Sequence, residues 1–185
     1  MFDEYYEGLV GILDTAHKAF KKKNYLKTFD IARALIVRVS DILMEAHDSS
    51  GLLSDLFSSA RYILIKLFSA PTAPKLKDQV FEFILATFEE ENAGGFDTEL
   101  LDDLLEQKMT EQQLLTCQDT VQKIIDKLDV KEDEEFRESY VVILIKIAEL
   151  LGDQSGVDQL INQNLHFLNV REIKLKELLL SLIHI

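Results

Sequence analysis

Apolar residues recur at three- and four-residue steps along almost the whole chain, which is the spacing of one face of an α-helix. The first stretch shows this pattern at Phe2, Tyr6, Leu9, Leu13 and Ala16. The 185 residues include only two prolines and seven glycines, too few for the many tight turns of an all-β fold. The pattern therefore predicts an all-α fold.

Breaks in the periodicity divide the chain into about eight or nine helices. Asn24 marks one break and Pro71 with Pro74 marks another, and Thr110 with Gln113 is a capping-box start. The predicted helices span about 3–22, 25–46, 53–67, 74–91, 98–107, 111–128 and 132–152, with two more opened by cap signatures at Ser155 with Asp158 and at Asn169 with Glu172. Connections this short predict antiparallel helical hairpins.

The segment 132–152 is the most hydrophobic of these helices. Its stretch from Tyr140 to Ile147 is rich in β-branched residues and, taken alone, would fit a β-strand. The helical pattern continues for about two turns on either side, which decides for a helix. Because it is apolar on all sides, we expect this helix to be buried between its neighbours.

The helices are expected to form a single helical-repeat domain over residues 1–179. The paired glycines of the loop at 92–97 are the best candidate for a boundary between two parts of this architecture. Val170, Ile173, Leu178 and Leu179 form an apolar stripe with no following element to cover it.

The last six residues, 180–185, read Leu-Ser-Leu-Ile-His-Ile. They resemble the translation of a transposon end that is used in preparing sequencing libraries. We therefore expect residues 180–185 to be a non-native tail and the chain to be a fragment of a larger protein.

Charge and composition disfavour several kinds of partner. The net charge of −13 repels phosphate backbones, so nucleic-acid binding is not expected. The basic run Lys21–Lys23 is predicted to end the first helix, where the helix dipole stabilises cations. The longest apolar run, Val141–Ile145, is too short to span a membrane. A single cysteine and an acidic N-terminus predict a cytoplasmic protein.

The sequence contains no recognisable catalytic, cofactor-binding or metal-binding constellation. Cys117 falls in the apolar stripe of its helix and is expected to be a core residue rather than a nucleophile. His17 is expected on a helix flank, His47 at a helix end and His166 in a turn. Zinc-protease, EF-hand, phosphate-loop and nucleophile-elbow spacings are all absent. We therefore expect neither an enzyme nor a bound metal or cofactor.

The run from Lys23 to Ala32 resembles the turn and second-helix start of a tetratricopeptide hairpin. The signature's tryptophan and first glycine are missing, and Thr28 stands where a small alanine is usual. Together with residues 48–53 and 161–171, this run is similar to the helical region of SWIM zinc-finger proteins and their uncharacterised relatives. The resemblance implies a short tetratricopeptide-like α-solenoid. The family's zinc site needs a Cys-x-Cys pair and Cys-x-His, which a chain with one cysteine lacks.

Two functions remain open at this point. The first is a non-catalytic helical-repeat scaffold that binds another protein or a missing part of the same chain. The second is a helical accessory or ligand-binding domain of an enzyme, in which acidic helix faces converge on a cation. The two differ in the placement of five acidic residues, which we expect to face solvent: Glu89, Glu90, Asp97, Asp102 and Asp103.

Overall fold

The computed structural model describes residues 2–45, 51–92, 99–129 and 132–183. Within these ranges all regular secondary structure is helical, which confirms the predicted all-α fold of helical hairpins. Nine helices are present in the described ranges: α1 (Phe2–Lys21), α2 (Tyr25–Glu45), α3 (Leu52–Ser69), α4 (Pro74–Asn92), α5 (Glu99–Leu105), α6 (Glu111–Lys127), α7 (Glu134–Leu151), α8 (Gln154–Gln163) and α9 (Leu168–Ile183).

The chain divides into two compact units, Met1–Ile84 and Leu85–Ile185, and the division falls inside α4. The sequence places a boundary near 92–97 within a single 1–179 domain. Of those residues, Asn92 ends α4 and the others lie outside the described ranges. The boundary at 92–97 therefore stays a prediction.

The first unit is built on the hairpin of α1 and α2, with α3 packed against both helices. The turn between α1 and α2 is a Schellman motif, in which Lys23 N–H donates to Phe20 C=O at 2.8 Å and Asn24 N–H donates to Ala19 C=O at 3.0 Å. Asn24 then caps α2, because its side-chain oxygen accepts from Lys27 N–H at 3.3 Å. A connection this tight makes the two helices antiparallel.

The described core of the first unit is largely apolar and includes a buried cation. Phe29 of α2 and Phe83 of α4 meet edge-on, with ring centroids 6.0 Å apart. Arg61 of α3 is buried and lies over the Phe57 ring, 5.4 Å from its centroid. Fully buried aliphatic side chains fill the space between the helices: Leu35, Ile36, Leu53, Ile63, Leu64, Leu67 and Ile84.

The second unit is organised around α7, which packs against α6, α8 and α9. Its buried side chains are Tyr140, Val141, Ile143, Leu144, Ile145, Ile147 and Ala148. Tyr140 also meets Phe88 of α4 edge-on, at 6.3 Å between ring centroids. The prediction of a helix buried between neighbours is confirmed, and the strand alternative for 140–147 is wrong. Phe136, on the first turn of α7, is an exception because it is exposed.

Of the predicted helix caps, one is confirmed and two are wrong. The capping box at Thr110 is confirmed, since its Oγ1 accepts from Gln113 N–H at 3.2 Å and Gln113 Oε1 accepts from Thr110 N–H at 3.0 Å. The predicted cap at Ser155 is wrong. Asp153 caps α8 by accepting from Gly156 N–H at 2.9 Å.

The predicted cap of α9 at Asn169 is also wrong, because this helix begins one residue earlier. The carbonyl of Phe167 accepts the first intrahelical bond, from Arg171 N–H at 3.2 Å. Asn169 therefore sits in the first turn, with its own N–H free of any intrahelical acceptor. That N–H donates instead to Glu138 Oε1 of α7, at 2.6 Å.

In the part of the chain that the structure describes, no helix has both the length and the apolar character needed to cross a membrane.

Candidate functional site

Helix α9 carries the clearest exposed apolar surface among the described residues. Phe167, just before the helix, and Val170 are buried against the rest of the second unit, and Ile173 is half-buried. The Glu138 carboxylate holds the first turn of α9 through Asn169 N–H. These contacts fix which side of the helix faces inward.

The opposite side of α9 is apolar as well. Leu168 and Leu175 are each 58% exposed, and Leu179 is 59% exposed. Residues seven and four positions apart lie within about 40° of one another around a helix, so these three leucines form one stripe. Leu178, which is 50% exposed, borders it. We call these four residues, Leu168, Leu175, Leu178 and Leu179, the outer leucine face.

A helix that is apolar on both sides is stable when both sides are covered. Each leucine of the outer face leaves roughly 1 kcal/mol of hydrophobic stabilisation unrealised while it is exposed to water. The predicted stripe of Val170, Ile173, Leu178 and Leu179 is thus split: its first two residues pack inward and its last two are exposed. Leu180, the first residue of the predicted non-native tail, is also exposed, and the side chains of 181–185 lie outside the description.

An open groove of about 400 Å³ runs beside the start of α9. Four glutamates line it together with the guanidinium of Arg171 and the imidazole of His166. Phe167 and Leu168 supply its apolar surface. The lining consists of Glu132, Glu134, Glu135, Glu138, His166, Phe167, Leu168 and Arg171. Since Leu168 belongs to both features, the acidic groove is continuous with the outer leucine face.

The polar lining of the acidic groove consists of carboxylates, one imidazole and one guanidinium. His166 is exposed in the turn between α8 and α9, as predicted, and its ring lies 4.0 Å from that of Phe167. Glu138 is engaged with the backbone of α9. The described lining includes no hydroxyl or thiol that His166 could activate as a nucleophile.

The acidic residues that would distinguish the two functions do not converge on one point where they are described. Glu89 forms a 3.6 Å ion pair with Lys127, and Asp102 forms a 3.2 Å ion pair with Lys146. Glu89 and Asp103 are exposed, and Asp102 is half-buried. Asp97 and the side chain of Glu90 lie outside the description. Over the described ranges, no group of three or more His, Cys, Asp or Glu residues could hold a metal ion.

Cys117 is a core residue, as its position in the apolar stripe of α6 predicts. It is fully buried, and desolvation raises the pKa of its thiol from 9.0 to about 12. A thiol with that pKa stays protonated at neutral pH and is a poor nucleophile.

The remaining sequence-predicted positions that the structure describes lie on a helix flank or at a helix end. His17 is exposed on α1. His47 lies outside the described residues. Lys21, Lys22 and Lys23 are exposed at the end of α1, where the dipole argument places them. Lys23 has a positive φ of 58°, a left-handed conformation that the sequence pattern did not predict.

Two side-chain contacts between elements of the second unit were not predicted from the sequence. Glu138 caps α9 from α7, and the guanidinium of Arg137 donates to the carbonyls of Ile125 and Leu128 at 3.0 and 3.4 Å, at the end of α6. Glu138 lies 31 residues from Asn169, so no local motif marks that contact. Arg137 lies 12 and 9 residues from the two carbonyls that it binds, which is also beyond the reach of a helix-cap motif.

No protein-family model matches the chain, and comparison with curated proteins and with solved structures also finds no match.

Proposed function

We propose that this chain is a non-catalytic helical-repeat scaffold that binds another protein, or a further part of its own chain, through the outer leucine face of α9. The observation that carries the proposal is the half-exposure of Leu168, Leu175 and Leu179 on the side of α9 opposite the buried Val170. Monomeric proteins rarely leave contiguous apolar patches larger than roughly a few hundred Å² open, and larger patches with a polar rim mark interaction sites. Here the rim is the acidic groove.

The rival function, an accessory domain with an acidic cation-binding face, has no specific observation in its favour. Two of the described candidate carboxylates are paired with lysines of different helices, Glu89 with Lys127 and Asp102 with Lys146. Carboxylates that already have cationic partners are less available to a metal ion. We therefore propose a scaffold without metal or cofactor. We also propose that it acts in the cytoplasm, since its single cysteine is free, as is usual in a reducing compartment.

We further propose that the scaffold is tetratricopeptide-like and belongs to a larger protein related to SWIM zinc-finger proteins. The α1–α2 hairpin supports this, since its turn at Lys23 and Asn24 falls where the tetratricopeptide-like run begins. Thr28, which replaces the usual alanine, is fully buried and donates its hydroxyl to Asn24 C=O at 2.9 Å. Sequencing the intact gene tests this part. A Cys-x-Cys and Cys-x-His cluster in the same reading frame supports the relationship, and its absence contradicts it.

Site-specific photocross-linking tests the binding surface. A photoreactive amino acid replaces Leu175 in the protein expressed in cells, and a matched control replaces Leu26, which is also 58% exposed but lies on α2. We expect a discrete cross-linked species from position 175 that is absent from position 26 and is lost when Leu179→Lys is added. Identical cross-linking patterns from the two positions would contradict the proposal.

A further inference from the structure

We propose that the outer leucine face of α9 binds the same face of a second copy of this chain, with the two helices antiparallel. This inference rests on the proposed function and names its partner. It follows from the spacing of the leucines, the charges that flank them and the surface that they expose.

The spacing is that of a helix-pairing seam. Leu168, Glu172, Leu175 and Leu179 follow one another at steps of four, three and four residues. This is the alternation of the two apolar positions in a coiled-coil heptad, which keeps one side of a helix against a partner helix. The inward residues Val170 and Ile173 are not part of this seam. The outer leucine face thus has its own helix-pairing pattern, separate from the contacts that fold the second unit.

The glutamate in the seam selects the antiparallel orientation. In a parallel, in-register pair, Glu172 would meet Glu172 of the second copy, and two like charges in an apolar seam repel one another. In an antiparallel pair centred between residues 173 and 174, Leu168 lies opposite Leu179 of the second copy. Glu172 then lies opposite Leu175 of the second copy and next to its Lys176. Antiparallel pairing therefore removes the repulsion and supplies a cation.

The same register supplies one contact between opposite charges. It places the ammonium group of Lys176 of the second copy beside the carboxylate of Glu172, at the edge of the seam. Lys176 is exposed in the single chain, so its charge is available. Because the pairing is two-fold symmetric, this complementarity occurs twice.

The exposed area is sufficient for a weak dimer. Four leucines that are 50 to 59% exposed offer on the order of 100 Å² of apolar surface each, so two copies would bury roughly 800 Å² of apolar area. Because about 60% of an interface is apolar, the total buried area is roughly 1,300 Å². That value lies at the lower end of specific interfaces, and it predicts a concentration-dependent dimer.

Sedimentation of the purified 185-residue protein tests the pairing, from about 1 μM to about 500 μM. We expect a monomer–dimer equilibrium within this range. Leu175→Lys should raise the dissociation constant at least about tenfold. Glu172→Leu should lower the dissociation constant, because it replaces a charged side chain of the seam with an apolar one. Leu26→Lys, a change at equal exposure on α2, should leave the constant within about twofold. Circular dichroism confirms that each variant keeps its helix content.

Cysteine pairing tests the orientation. The native Cys117 is fully buried, so it does not compete with thiols that are introduced on the surface. Equimolar Leu168→Cys and Leu179→Cys proteins are mixed and oxidised. An antiparallel pair gives predominantly the mixed 168–179 disulfide, whereas a parallel pair gives 168–168 and 179–179.

A protein that sediments as a monomer throughout, or a dimer that Leu175→Lys leaves unchanged, would overturn the second-copy inference. Equal amounts of like and mixed disulfides would overturn the antiparallel register. If the purified protein is monomeric but position 175 cross-links to a different protein in cells, the second-copy inference fails and the proposed function stands. If neither pairing nor cross-linking occurs, both fail.

Discussion

Lys23 is the position at which one substitution tests the geometry of the α1–α2 hairpin most sharply. It lies two residues beyond the end of α1, at the left-handed position of a Schellman motif, and has a φ of 58°. A residue with a Cβ pays roughly 1–2 kcal/mol to hold a left-handed conformation, whereas glycine does not. Lys23→Gly should therefore relieve that strain and stabilise the hairpin.

Two losses oppose this gain. Glycine makes the unfolded chain more flexible, which costs roughly 0.4–1 kcal/mol, and the removed lysine no longer interacts with the helix dipole, worth at least roughly 0.3 kcal/mol. The expected net stabilisation is about 0.5 kcal/mol. Lys23→Ala is the decisive control, because it also removes the charge but keeps the Cβ. The glycine variant should be more stable than the alanine variant by about 1 kcal/mol.

Thermal unfolding followed by circular dichroism measures this difference. A change of 1 kcal/mol shifts Tm by about 2–8 °C over the relevant range of domain sizes. We expect the order of Tm to be Lys23→Gly, then wild type, then Lys23→Ala. Equal melting temperatures for the glycine and alanine variants would refute the left-handed assignment of Lys23 and with it the Schellman turn.

Three further predictions concern the second unit. Gly152 has a φ of 72°, so Gly152→Ala should destabilise the protein by about 1–2 kcal/mol in urea melts. The control Gly11→Ala, on the open surface of α1 in the first unit, should stabilise it by roughly 0.8 kcal/mol. If both substitutions destabilise the protein, the left-handed backbone of Gly152 is not the cause. Arg137→Ala should cost about 1–2 kcal/mol by removing the α6 cap, and the exposed Arg171→Ala should cost under about 0.5 kcal/mol. Burial raises the pKa of Cys117 from 9.0 to about 12, so between these values the folded state retains a proton that the unfolded state loses. The free energy of unfolding should therefore fall from about pH 9 to pH 12 more steeply than it does in Cys117→Ala. Parallel pH profiles of the two proteins would contradict this.

The fold could be predicted because helix periodicity is a local property of the sequence. Tyr140 to Ile147 shows the limit of composition alone, since its β-branched residues favour a strand, yet neighbouring turns and burial on both sides make it helical. The capping box of Thr110 was also readable, because donor and acceptor lie three residues apart.

Helix ends were predictable only where one local cap had no competitor. Around α8, Asp153 and Ser155 both offer a side-chain oxygen, and Asp153 prevails because Gly152 takes the left-handed conformation and ends α7 immediately before it. At α9, a carboxylate from another helix, Glu138, satisfies the first turn, so Asn169 is not needed as a cap. Such a partner is distant in sequence and leaves no local pattern.

The apolar stripe of α9 was visible in the sequence, but its two-sided character was not resolved. Val170 and Leu179 belong to one periodic pattern, and only the packing of α7 and α8 separates the buried residue from the exposed one. The continuity of this surface with the acidic groove likewise depends on the turn between α8 and α9, which brings Leu168 beside glutamates of α7.

The fluorescence of a single tryptophan on the outer leucine face tests the central claim most directly, because the chain contains no tryptophan of its own. The Leu175→Trp variant is measured over increasing protein concentration, beside a Leu26→Trp control of equal starting exposure. We expect the emission of a solvent-exposed indole at low concentration and a shift to shorter wavelength as the dimer forms, with no shift in the control. An emission maximum that stays at the solvent-exposed wavelength at every concentration, or that shifts equally in the control, would contradict it.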